Sequence, residues 1–188
     1  MSPVTHLLLG WAVATATPLP LRGRLVVTAA GIIPDVDALG LGVELLTKNS
    51  AHPLLWWTNY HHTVGHNLWF GLLGMAVAAW LCRPQAARVA LLYLLSFHLH
   101  LLGDIVGARG PDGIWSLIYL WPFHQDWDLI WHGQWKLNSW PNLVLTAVLI
   151  AHVLRHALRH GVSPLEFVSA KANAALVQTL RNRFGSPG

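Results

Sequence analysis

The chain has 188 residues, of which 54% are hydrophobic and only 11% charged, with a mean hydropathy of +0.44 and 11 tryptophans. A soluble domain carries roughly 25% charged residues, so the composition argues against a water-soluble fold and for one domain in a membrane. The net charge of +4 comes from scattered basic residues, which form no patch for nucleic acid, and the single Cys82 excludes an intrachain disulfide or a cysteine-based zinc finger.

The first apolar run covers residues 4–21 and is broken by Pro18 and Pro20. Its start lacks the basic region of a signal peptide, so it is expected to be retained. A shorter run over 25–34 stops at Pro34, before Asp35-Val36-Asp37. Residues 67–82 and 89–107 approach the roughly 20 residues of a full span, and 142–157 lead into a basic, histidine-rich segment. The two N-terminal runs are short enough for a partly inserted hairpin. From about Ser163 to Phe184 the pattern is that of an amphipathic surface helix. The expected fold is all-α, an integral membrane helical bundle with about 4–5 membrane-inserted helices over residues 1–162, followed by an amphipathic cytoplasmic segment over 163–188. Trp56, Trp57, Trp69, Trp80, Trp115, Trp121 and Trp140 lie near the ends of apolar runs, where indole rings favour the membrane–water boundary.

Basic residues orient this arrangement. One side collects Arg22, Arg24, Arg83, Arg88, Arg155, Arg159, Lys171, Arg181 and Arg183, leaving Lys48, Arg109 and Lys136 opposite. The positive-inside rule makes the first side cytoplasmic. His6, Asp35, Asp37, His61, His66, His100 and Asp104 then fall toward the non-cytoplasmic face.

Those seven residues are the candidate site. Ionisable groups at the ends of membrane helices cost several kcal/mol unless compensated, and no lysine lies nearby to pair with them. Histidine and aspartate together are ligands for Zn²⁺ or Mn²⁺. His100 and Asp104 are spaced i, i+4, about 40° apart around a helix, and a metal can bridge that gap. His98 points roughly the opposite way and reads as a packed or hydrogen-bonded histidine. His62 has the same i, i+4 relation to His66, and His61 competes with it if the segment is a loop. Asp35 and Asp37 alternate across an extended turn after Pro34, so one can bind metal while the other orients a histidine, bridges two ions or serves as general base. His124, Asp126, Asp128 and His132 form a second ligand-rich stretch, either a substrate entrance or a solvated loop. His152, His156 and His160 recur every four residues beside Arg155 and Arg159 and read as a basic face.

The order Thr5-His6 with Gly10, Pro34-Asp35-Val36-Asp37, His61-His62 with His66, His100 with Asp104, and Pro122-Phe123 resembles the bacterial membrane-bound metal-dependent hydrolases. These are the LexA-binding, inner-membrane-associated hydrolases, and the resemblance covers about residues 3–124. It implies a metal site of His6, Asp35, Asp37, His61, His66, His100 and Asp104, and a multi-pass protein of the bacterial inner (cytoplasmic) membrane. The family usually shows an Arg after the first histidine of the third motif and Thr-His-Ser at its end, where this chain has His62 and Gly65-His66-Asn67. A more distant similarity, to zinc-dependent phospholipase C, suggests phosphoester chemistry, although a downstream His-xxx-Glu is missing here.

The expected function is hydrolysis of an amphiphilic, lipid-like ester or phosphoester through water activated by one or two divalent ions, Zn²⁺ before Mn²⁺. Asp35, Asp37 and Asp104 are the candidate catalytic carboxylates, as ligands, bridge or base. The lipid bilayer and an amphiphilic substrate are the expected partners. Two rivals belong to other classes. A haem-binding membrane protein would use paired histidines such as His98 and His152, and a divalent-metal transporter would need ligands near the bilayer midplane.

Overall fold

A computed structural model describes residues 1–110 and 113–185 of the chain. The helices are α1 (Pro3–Thr15), α2 (Leu21–Ala30), α3 (Gly40–Thr47), α4 (Trp56–Tyr60), α5 (Leu68–Leu81), α6 (Ala86–Gly107), α7 (Trp140–His160) and α8 (Ala170–Phe184). A 3-10 helix over Ile33–Leu39 joins α2 to α3. Among the described residues there are isolated β-bridges but no strand. The fold is all-helical, in line with the sequence reading.

Local chemistry fixes several helix ends. Ser2 caps α1 by accepting from the Thr5 amide, with Pro3 in the first turn, where its missing N–H costs nothing. Asn67 caps α5 in the same way through the Phe70 amide (2.9 Å). Gly161 ends α7 in the left-handed conformation (φ 71°), which glycine adopts without a Cβ penalty.

Among the described residues, two segments are long and apolar enough to cross a bilayer, Arg83–Gly107 and Trp140–His160. A third qualifies only as a pair, Leu21–Ala30 with Ile33–Thr47, bent by 58°. α1 and α5 are apolar but have only 13 and 14 residues, short of the roughly 17–20 that span unaided. Two to three candidate spans therefore stand where about 4–5 inserted helices were expected. The reason is local, since Pro18, Pro20 and Pro34 punctuate the N-terminal runs and the Asn67 cap starts α5 late.

The bundle is apolar outside and partly polar inside. Leu73, Trp80, Leu91, Leu102, Trp140 and Leu143 are exposed, whereas Thr5, His6, His66, Ser96, His100, Asp104 and Asn142 are buried. Water would not favour that distribution, and lipid does. α1 lies at the centre against α2, α6 and α7, and α5 packs on α6. Close approach depends on small residues: a Cβ on Gly10 would stand 2.7 Å from the Thr28 carbonyl oxygen. Helix direction gathers the site, because α1, α5 and α7 begin, and α2 and α6 end, at the same end of the bundle. The opposite end carries Arg22, Arg24, Arg83, Arg88, Arg155 and Arg159, with Arg24 paired to Glu166.

Candidate metal centre

Four of the seven candidates converge: Asp35 from the 3-10 turn, His66 before α5, and His100 and Asp104 from the last turns of α6. One ligand atom of each lies within 4.8 Å of every other. His66 Nε2 and His100 Nε2 are 3.2 Å apart, and Asp104 Oδ2 is 3.0 Å from His100 Nε2 and 3.7 Å from His66 Nε2. Asp35 Oδ1 is 3.6 Å from His100 Nε2 and 3.7 Å from His66 Nε2. Four ligands at bond lengths of about 2.0–2.2 Å around a tetrahedral ion stand about 3.4 Å from one another, so the set has nearly the dimensions of a loaded site.

The hydrogen bonds behind the histidines decide what faces inward. His100 Nδ1 donates to the Gly31 carbonyl oxygen (2.9 Å), which can only accept. His66 Nδ1 donates to Asp37 Oδ2 (3.1 Å). Both rings thus turn an Nε2 lone pair toward the other and toward two carboxylates, the arrangement that orients metal-binding imidazoles. Asp104 Oδ2 is buried with no hydrogen-bond partner. Converging lone pairs with an orphaned carboxylate oxygen repel unless a cation or a proton sits among them, so the residues present fit a divalent metal. With no cation, burial draws His66 down, but the negative Asp104 and Asp37 carboxylates beside it outweigh that and raise it to about 9.

The other three candidates stand one contact further out. His6 Nε2 donates to Asp104 Oδ1 (2.9 Å), as does the Met1 amine, so the side of Asp104 away from the cluster is held. Asp37 accepts from His61 Nδ1 (2.9 Å), His66 Nδ1 and the amides of His62 (3.0 Å) and Gly65 (3.4 Å). His61 stacks on Trp57 at 3.6 Å. Asp35 and Asp37 lie on a 3-10 turn rather than the extended turn expected. At about 120° per residue they still diverge, one toward the four-residue cluster and one toward the His61–His66 loop. That loop is pressed on the turn: a Cβ on Gly65 would lie 2.1 Å from the Pro34 carbonyl oxygen, which explains a glycine beside His66.

A cleft of about 490 Å³ opens over the cluster, lined by Asp35, Asp104, His61, His62, Trp57 and Trp115 among others. His62 has a left-handed backbone (φ 64°), rare outside glycine. Its ring packs against Trp115 at 3.9 Å and His61 at 3.8 Å. Burial and the neighbouring His66 and His61 pull it down to about 3, so it is neutral. Trp115 carried no chemical motif in the sequence, and only its place in space makes it a wall of the cleft.

Other histidines are accounted for elsewhere. His98 bonds the Leu94 carbonyl (2.8 Å) and the Tyr119 hydroxyl (2.7 Å) on another face of α6. His124, Asp126, Asp128 and His132 are exposed and do not line the cleft. His152, His156 and His160 run up α7 toward the basic end, with His156 against Trp11.

Fold and site together define a helical membrane protein with a buried His/Asp cluster able to hold a metal ion. A family model described as "YdjM inner membrane protein" matches residues 1–180, and the chain belongs to that family. The match supports the inner-membrane part of the resemblance drawn from the motifs. Comparison with curated proteins and with solved structures found no match.

Proposed function

We propose that the chain is a membrane-embedded metal-dependent hydrolase of an amphiphilic ester or phosphoester. The observation that carries this reading is a buried cluster of two histidines and two aspartates that opens to a cleft through its most accessible member, Asp35 (19% side-chain exposure). A site meant only to brace the fold would be closed on all sides. A Zn²⁺ or Mn²⁺ ion held by Asp35, His66, His100 and Asp104 would activate water and polarise a carbonyl or phosphoryl group.

The chain's own residues have separable tasks in this scheme. Asp37 spends both oxygens on His61, His66 and two amides, so it positions and has no free lone pair with which to act as base. Asp35 borders the cleft and is the carboxylate best placed to meet a substrate proton. His6 holds Asp104 in register. His62 offers a neutral imidazole at the cleft wall, and Trp57 and Trp115 exclude water from its flanks. Binding of ligands at one end of the bundle, rather than midway, favours hydrolysis over transport of the ion. The crowding of basic residues at the other end supports a non-cytoplasmic site in a multi-pass protein.

The test is the reconstituted protein against a panel of amphiphilic esters and phosphoesters. Turnover should vanish with chelator and return with Zn²⁺ or Mn²⁺. A metal-loaded protein inert on the whole panel would sink the reading.

A further inference from the structure

The segment between the aspartate turn and the His61 loop exposes an apolar surface that the bundle does not use. α3 and α4 pack chiefly on each other and on the 3-10 turn. Leu46 is 89% exposed and Leu39 74%, and Leu45, Leu54, Leu55 and Trp56 are each close to half exposed. Two polar side chains of this hairpin pair with each other: Glu44 accepts from the Thr58 amide (3.0 Å) and the Thr58 hydroxyl (2.9 Å), closing α3 onto α4. Gly40 lets the start of α3 touch Trp56 and Trp57, since a Cβ there would stand 3.0 Å from their backbone.

We infer that the α3–α4 hairpin is a lip embedded in the lipid leaflet on the side of the metal centre, and that a lipid substrate enters the cleft sideways across it. Three observations point to lipid rather than a protein as the occupant. α2 and residues 33–47 together are apolar enough for a span, but a 58° bend at the aspartate turn swings α3 aside. The hairpin is therefore a continuation of a membrane segment. Second, residues 48–55 are irregular, so they cannot sit in hydrocarbon, where backbone groups go unsatisfied. Lying at the headgroup boundary with leucines down and the exposed tip around Lys48 toward water satisfies both halves. Third, the hairpin borders the cleft itself: Trp57 of α4 lines it, with Ala38 of the adjoining 3-10 turn, beside Asp35 and His61. A headgroup can then reach the cluster while its acyl chain stays against Leu39, Leu45 and Leu46. The lateral route rests on the hydrolase reading above, and the lip does not.

Each part has its own measurement. In a Cys82→Ser background, spin labels placed by Leu39→Cys, Leu46→Cys and Lys48→Cys in lipid nanodiscs report collisions with oxygen and with a water-soluble nickel chelate. Oxygen should dominate at residues 39 and 46 and the nickel chelate at 48. Nickel dominance at 46, or spin–spin coupling between two copies there, would overturn the lip. For the route, the double variant Leu45→Glu/Leu46→Glu should keep its metal and its turnover of soluble ethyl para-nitrophenyl phosphate. Its turnover of hexadecyl para-nitrophenyl phosphate in vesicles should drop at least about tenfold, since each buried leucine side chain is a transfer of more than a decade in affinity. Equal loss on both compounds, or loss on neither, would overturn lateral entry. A wild-type protein inert toward both refutes the hydrolase reading and the route with it, and the spin labels still decide the lip.

Discussion

Replacing Asp37 with Asn separates a ligand from the residue that aims one. In the structure Asp37 receives four donors, and the decisive one is His66 Nδ1 at 3.1 Å. While that bond holds, the His66 proton stays on Nδ1 and Nε2 keeps its lone pair for the cluster, 3.2 Å from His100 Nε2. An asparagine of the same shape brings one carbonyl oxygen to four donors and turns an NH₂ group toward some of them. The unit charge that anchors the Nδ1 proton and makes the imidazole a stronger donor to a cation also disappears. Partners of this kind are worth about 10–100-fold in metal affinity, or about 1.4–2.7 kcal/mol. Asp35→Asn removes the charge of a converging carboxylate itself and should cost more. Affinity would be read by competition with a chromophoric chelator, and metal content by elemental analysis of the purified protein. Asp37→Asn should retain metal at saturating concentration with affinity lowered within that range. Unchanged affinity would refute the positioning role, and an Asp37→Asn protein that holds no metal at all, beside an Asp35→Asn protein that holds it fully, would show that the two roles are reversed.

Other consequences follow from the same contacts. His100→Ala and Asp104→Ala should abolish stoichiometric metal, whereas His98→Ala should spare it, because His98 is committed to Leu94 and Tyr119; elemental analysis of the three proteins decides. His66 is raised to about 9 without a cation, so below that pH the metal must expel its proton, and affinity should rise about tenfold per pH unit toward 9 and then level off; a flat profile between pH 6 and 8 would count against His66 as ligand. Gly65→Ala puts a Cβ 2.1 Å from the Pro34 carbonyl oxygen, and the forced shift should cost about 1–3 kcal/mol, seen as a lower thermal midpoint in detergent together with weakened metal binding. A reporter fused to the C-terminus should behave as cytoplasmic and one inserted near His52 as external; the opposite pattern would invert the orientation.

What could be read from the sequence was what depends on helical period and composition. His100 and Asp104 share a face and His98 does not, because α6 is regular over all three positions, and one helix needs no knowledge of its neighbours. The apolar exterior followed from composition in the same way. The count of spans did not, because apolar character says nothing of where a proline or an asparagine cap ends the helix; α1 and α5 are greasy enough and too short. The choice between Asp35 and Asp37 was closed to sequence reasoning for a different reason. Two carboxylates on a tight turn diverge whether the turn is extended or 3-10, and which one faces the His66–His100–Asp104 cluster depends on the 58° bend and on the loop pressed against Pro34.

The same limit explains the histidine loop, and it bears on how such a site is held. His61, His62 and His66 are chemically alike and within five residues, so spacing alone cannot rank them. Their roles come from what each meets: His66 reaches across to His100, His61 to Asp37 and Trp57, His62 to Trp115. Each of those partners lies on a separate element, and the four converging residues themselves come from the 3-10 turn, the loop before α5 and the end of α6. A cation among them would join three separate segments of the chain at this end of the bundle. Binding to the folded state alone stabilises it by about 2.7 kcal/mol at a hundred times the dissociation constant. A metal held there would be a part of the fold at the mouth of the cleft, and the α3–α4 hairpin proposed to admit substrate hangs from the very turn that supplies Asp35.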